Sequence, residues 1–165
     1  MRTVNLIAIH CSATPNGRRV TSEDIDGWHK ARKFRRDPRL IGVNEPTLKH
    51  IGYHYVIYAD GSVRIGRGER EPGAHIAGNN ANSIGVCMVG TDRYSREQWA
   101  SLKKLIEGLS QRYPLAAIKG HRDLSPDLDG DGVVERHEWL KTCPGFDVSS
   151  WRAGGMEPLA AHLLE

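Results

Sequence analysis

The run Ser83-Ile84-Gly85-Val86-Cys87-Met88-Val89 constrains the fold more than any other segment of the chain. It is nearly continuous in apolar residues, with none of the alternation expected of a strand that has one face in water. Such a run reads as a strand covered on both faces. A sheet buried in that way needs other elements packed above and below it, so the flanking segments should supply helices.

They do. Thr21 with Asp24 three residues on forms a capping-box pattern, and Ile25, Trp28 and Arg32 give about three helical turns one amphipathic face. Ser95 with Gln98 repeats the pattern ahead of Trp99, Leu102, Leu105, Ile106 and Leu109 at helical spacing, and Pro114 follows the end. Val4 to Ile9 is a short apolar strand. Tyr53 to Tyr58 and Val63 to Gly66 are strand-like around the turn signal Ala59-Asp60-Gly61-Ser62. Ala116 to Gly120 is a further short strand, Phe34 to His50 reads as an irregular loop, and a final helical turn or two is expected from Pro158 to Leu164. Strands alternating with helices predict an α/β (α+β) domain with a central mixed β-sheet flanked by helices. At 165 residues and 39% hydrophobic content, one domain spanning 1–165 is expected.

The net charge of +3 is mildly basic, with the charges spread along the chain. That suits a polyanionic partner without demanding one, and no basic tract interleaved with aromatics points to nucleic acid. Arg18, Arg19, Arg32, Lys33, Arg35 and Arg36 read as a solvated helix and loop face. No run approaches transmembrane length, and Met1 to Cys11 lacks the features of a secretory signal. Three cysteines are an odd set, which argues against a disulfide framework and fits synthesis in a reducing cytoplasm.

His10 ends the first strand, and His121 follows the strand Ala116 to Gly120. Side chains alternate along a strand, so Cys11 should face away from His10 into the core. Cys87, inside the most apolar strand, reads as a buried inert thiol. Cys143 differs, because in Lys141-Thr142-Cys143-Pro144 the lysine can project to the same side, and an ammonium nearby favours a thiolate. Two strand-end imidazoles and one loop thiolate would leave tetrahedral zinc an open position for water. Such a zinc would lower the pKa of its water toward roughly 7 and polarise a substrate carbonyl. Spacing alone leaves open the alternative that His10 and His121 are unrelated structural histidines.

His10-Cys11-Ser12-Ala13-Thr14, Gly52-Tyr53-His54-Tyr55, Gly73-Ala74-His75, Asn82 to Cys87, His121-Arg122-Asp123 and Lys141 to Asp147 occur in one order. In that order they resemble the zinc-dependent N-acetylmuramoyl-L-alanine amidases of the amidase-2 and peptidoglycan-recognition family. The resemblance runs from about Val4 to Trp151 and is nearest the small phage endolysin type that includes T7 lysozyme. It implies that His10, His121 and Cys143 are zinc ligands and that peptidoglycan is the substrate. The bond implied is the amide between the muramic lactyl group and L-alanine of the stem peptide. It also implies that Tyr53 and Lys141 are catalytic, the Lys141 ammonium beside the oxyanion and the Tyr53 hydroxyl orienting water or assisting proton transfer. His75 matches a cleft histidine and is expected to touch substrate. Asn80 and Asn82 are candidates for sugar or peptide binding, which turn formation explains equally well. His54 should face away from Tyr53 in a structural role, and His29, His50 and His162 are expected at the surface.

Between His121 and Cys143, Asp127-Leu128-Asp129-Gly130-Asp131-Gly132-Val133 through Glu138 matches the calcium-loop pattern D-x-D-x-D-G-x5-E. Asp127, Asp129, Asp131, the Val133 carbonyl and Glu138 would be the ligands, with an acidic solvated loop as the alternative. His137 lies inside this pattern and is set aside as a zinc ligand. The expected protein is a monomeric endolysin made in the cytoplasm without its own signal and acting on the wall after release. Muropeptide recycling in the cytoplasm and a non-catalytic peptidoglycan-binding module are the alternatives.

Overall fold

The computed structural model describes residues 2–165. Strand β1 (Leu6–Cys11), buried along its whole length, lies between β4 (Ser83–Met88) and β5 (Ala117–Gly120), and is parallel to both. Beyond β4 lie β2 (Tyr55–Ile57), parallel to it, and β3 (Val63–Ile65), antiparallel to β2, giving the five-stranded order β3-β2-β4-β1-β5. The fold is therefore the expected α/β domain with a mixed sheet. Every residue of β4 is buried, as its unbroken apolar sequence requires.

One face of the sheet packs on α3 (Arg96–Arg112), where Ile7, Ile9, Cys11, Ile84, Val86 and Met88 meet Trp99, Leu102, Ile106 and Leu109. The opposite face carries α1 (Ser22–Ala31), whose Ile25 packs with Val56, Cys87 and Val89. Both capping boxes form: Thr21 with Asp24 starts α1, and Ser95 with Gln98 starts α3. Leu6 and Ala8 belong to the α1 side with Ile76. Alternation along β1 therefore sends His10 to that side and Cys11 into the α3 core.

Three expectations need correction. The loop from Phe34 to His50 contains a helical turn, α2 (Pro38–Ile41), started by Asp37. A further short helix, α4 (Val148–Ala153), was not anticipated; Asp147 caps it, and it buries Val148 and Trp151 against the α3 core. Arg36 is not on a solvated face, because its guanidinium is buried and paired with Glu71 at 2.7 Å. It also donates to the carbonyls of Asn44, Glu45 and Leu48, so one cation ties down the whole loop. The expected turn near the C-terminus is a 3-10 turn at Ala160–His162. Among the described residues no helix is long and apolar enough to cross a membrane.

Candidate active site

In parallel sheets ligands bind outside the carboxyl ends of the strands. Here β1 and β5 are parallel neighbours with Ile9 opposite Gly120, so the residues that follow, His10 and His121, stand side by side. Their Nδ1 atoms are 3.1 Å apart. Cys143 arrives from a loop and is held at both ends of the residue. The Cys11 backbone N–H donates to its sulfur at 3.0 Å, and the Arg122 N–H donates to its carbonyl at 2.8 Å. Donor atoms of His10, His121 and Cys143 lie within 4.8 Å of one another.

The trio forms part of the lining of a cleft of about 520 Å³, together with Tyr53, His75, Asn80 and Lys141. Trp28, Arg32 and Phe34 line it as well, with the Arg32 guanidinium 4.7 Å from the centre of the Phe34 ring. Burial, followed by the neighbouring His75 and His121, holds the His10 pKa well below its ordinary value. Burial and then the Lys141 ammonium lower that of His121. Both rings are thus neutral, the form that ligates a metal. The Cys143 thiol is pushed up, first by the adjacent Cys11 thiol and then by burial, so without a cation it keeps its proton. Two neutral imidazoles and a thiol that a cation would deprotonate fit a borderline-soft divalent metal, and zinc is the metal for which such a set is common.

The Tyr53 ring centre is 5.2 Å from that of His10. Burial raises its phenol well above the ordinary value, so at neutral pH the hydroxyl remains a donor. Lys141 is exposed and lines the same cleft. His75 lines the cleft, yet both ring nitrogens are engaged: Nδ1 is 2.9 Å from His10 Nε2, and Nε2 is 3.1 Å from Ser83 Oγ. Asn80 Oδ1 accepts the backbone N–H groups of His75 and Ile76 at 2.8 and 2.9 Å, which is the turn-forming role. His54 is structural, as expected. Its Nδ1 accepts the Gly85 N–H, so its Nε2–H donates to the Glu71 carbonyl.

His29 departs from the sequence reading. It is buried, lines the cleft against Tyr53 with ring centres 5.2 Å apart, and accepts the Gly52 N–H at 2.8 Å. Its position four residues after Ile25, on the buried face of α1, was the signal that could have found it. His50 and His162 are half-buried, and their Nδ1 atoms meet the carbonyls of Phe34 and Asp92.

The acidic loop is assembled only in part as the calcium pattern implies. Carboxylates of Asp127, Asp129 and Asp131 come within 4.8 Å of one another. Glu138 instead turns inward, where it accepts the N–H groups of Leu128, Asp129 and Glu135. Val133 is exposed, and its N–H donates to Asp131. His137 stands beside Asp129 and Glu135, not among the residues lining the cleft.

Sheet, cleft and donor set together have the arrangement of a hydrolase with a metal-competent centre. The family model described as N-acetylmuramoyl-L-alanine amidase matches residues 1–146. The endolysin of Enterobacteria phage T3 is 32% identical over 157 residues, covering 90% of this chain and 85% of its own. An uncharacterized protein of Haemophilus influenzae is 53% identical over 100 residues, covering 56% of this chain and 86% of its own. Among solved structures, the N-acetylmuramoyl-L-alanine amidase LysC from Clostridium intestinale superposes with a TM-score of 0.67 at 25% identity, covering 95% of this chain and 88% of that one. The chain belongs to the N-acetylmuramoyl-L-alanine amidase family. It is a peptidoglycan amidase of the endolysin type.

Proposed function

We propose that the protein is a zinc amidase that cleaves the bond between N-acetylmuramic acid and L-alanine of the stem peptide, and that it serves phage or prophage lysis of the wall. The observation that carries this reading is the convergence of His10, His121 and Cys143 donors within 4.8 Å at the carboxyl ends of β1 and β5. Zinc held there would supply a Lewis acid and an activated water. The chain's own residues do the rest. The Lys141 ammonium faces the developing oxyanion, where a fixed positive charge stabilises the transition state more than the ground state. The Tyr53 hydroxyl, kept protonated by burial, orients the attacking water or passes it a hydrogen bond. Trp28, Arg32 and Phe34 form a wall of the cleft along which the glycopeptide is laid. The endolysin relatives support the lytic role over recycling, and the intact set of His10, Tyr53, His121, Lys141 and Cys143 favours catalysis over mere binding.

The test combines metal content with product analysis. Purified protein should carry one zinc, and digestion of purified peptidoglycan should free L-alanine amino termini without new reducing sugar ends. Chelation should abolish the release, and added zinc should restore it. Release of reducing ends instead would make the enzyme a glycosidase. Rapid cleavage of soluble anhydro-muropeptides with intact walls untouched would favour recycling.

A second, smaller proposal concerns the acidic loop. The gathered carboxylates of Asp127, Asp129 and Asp131, in a twelve-residue pattern suited to calcium, favour a weak calcium site there.

A further inference from the structure

We propose that His75 is a positioning residue for His10, fixing which of its two ring nitrogens is offered to the metal. The two nitrogens of His10 point to different partners. Nδ1 faces His121 at 3.1 Å, while Nε2 faces His75 Nδ1 at 2.9 Å. A neutral imidazole has one N–H and one lone pair. Ligation through Nδ1, the nitrogen on the side of His121, therefore requires the proton of His10 on Nε2, and that N–H needs an acceptor. His75 Nδ1 provides it. His75 must then carry its own proton on Nε2, where Ser83 Oγ lies 3.1 Å away to accept it. Each N–H in the series points away from the metal-competent trio. With the series reversed, His10 would hold its proton on Nδ1 and present no lone pair to a metal.

The surroundings of His75 are built to hold that ring in one place. It occupies a slot between two glycines: a Cβ added at Gly73 would meet the ring at 2.3 Å, and one added at Gly85 would meet it at 2.7 Å. Neither position tolerates a side chain without displacing the imidazole. Asn80 fixes the backbone from which the ring projects, through the two N–H groups its Oδ1 accepts. The His10 and His75 rings meet edge to face, 4.9 Å apart at 88°. With both nitrogens engaged, His75 has no ring polar atom left for substrate, so its influence on catalysis runs through His10.

This inference rests on the zinc reading above, and its test separates the two. Zinc affinity is measured by chelator competition for the unmutated protein, His75→Ala, His75→Asn and Ser83→Ala. The tautomer of His10 is read by nitrogen NMR on the metal-free proteins, and kcat and KM are followed separately on peptidoglycan fragments. The unmutated protein should hold its His10 proton on Nε2. His75→Ala should lose zinc affinity by roughly 10- to 100-fold, as partners of metal-bound histidines do, with a mixed His10 tautomer and an unchanged KM. His75→Asn, whose Oδ1 can stand where Nδ1 stood, should restore most of both, and Ser83→Ala should lose less in the same direction. A His75→Ala protein with unaltered zinc affinity and tautomer, or with a raised KM alone, overturns the proposal. Should His75→Ala fail to fold, Ser83→Ala and His75→Asn carry the same readouts. An unmutated protein that binds no zinc would overturn the metal reading, while the His10 tautomer still reports on His75.

Discussion

The backbone N–H of Cys11 donates to the Cys143 sulfur at 3.0 Å, so the residue next to one metal-competent imidazole holds the thiol 132 positions further on. Because the donor belongs to the main chain of a central strand, the sulfur is aimed by the sheet itself. Cys143→Ala should therefore remove both bound zinc and wall hydrolysis. Cys87→Ala, in the core on the α1 side, should keep its zinc and lose only about 1–2 kcal/mol of stability from the missing sulfur. Zinc stoichiometry beside a urea denaturation curve distinguishes the two. Full zinc in Cys143→Ala would mean that the sulfur is not a ligand.

Lys141 is exposed at the cleft, and its charge adds to burial, the larger cause, in lowering the His121 pKa. Lys141→Ala should leave zinc bound while turnover falls by about 10²-fold or more, the usual loss when one stabilising donor is removed from a developing oxyanion. Dye release from labelled cell walls measures it. Undiminished release would take Lys141 out of the chemistry.

Arg36 and Glu71 form a buried ion pair in which all the guanidinium N–H groups find acceptors. Removing one partner strands the other charge away from water, so Arg36→Ala should cost about 3–5 kcal/mol. The loop that carries Phe34 to the cleft should also become open to proteolysis between residues 34 and 50. A loss below about 1 kcal/mol, with no new cleavage, would show the pair to be incidental.

Burial holds His54 down to about 3 and His29 to about 4. In the unfolded chain both titrate near 6.5. Between those values the unfolded chain binds more protons than the folded one, so stability is fully present above about pH 6.5 and falls as the solution is made more acid. Each histidine contributes a slope of at most about 1.4 kcal/mol per pH unit. Urea midpoints measured from about pH 7 to about pH 4.5 should decline on this account; a flat profile would contradict the burial of these rings.

Glu138 serves the loop whether or not an ion is present, because its carboxylate accepts three backbone N–H groups. Those amides hold its pKa down. Glu138→Ala should loosen residues 127–138 in calcium-free buffer, as seen by amide exchange. Asp129→Ala with Asp131→Ala should abolish the heat of calcium binding in calorimetry. Equal heat from that double variant would leave the aspartates as a solvated turn.

What could be read in the sequence was local or periodic. The capping boxes at Thr21 and Ser95, the buried character of β4, and the alternation that separates His10 from Cys11 all follow from neighbours within a few residues. The ordered motifs then pointed to the family, and His10, His121 and Cys143, which they singled out, are brought together by the fold. Burial of Arg36 could not be read, because the carboxylate that permits it comes 35 positions later on another loop. The contact between His75 and His10 was hidden for the same reason: the two are 65 positions apart, and only the folded sheet makes them neighbours. α4 had a signal, since Asp147 precedes Val148 and Trp151 at helical spacing, but six residues are too few for periodicity to stand out.

The chain leaves the metal-competent centre at Arg122 and comes back at Cys143, and the Arg122 N–H to Cys143 carbonyl bond of 2.8 Å ties the two ends. The twenty residues between them form an appendix clipped at its base, and the base is the metal-competent centre. Its exposed tip, residues 126–133, can change in length and composition while the clip keeps His121 and Cys143 in register. For protein engineering, that tip is a splice site: a wall-binding peptide or a reporter inserted near Gly130, which is exposed and outside the strands, would not enter the sheet.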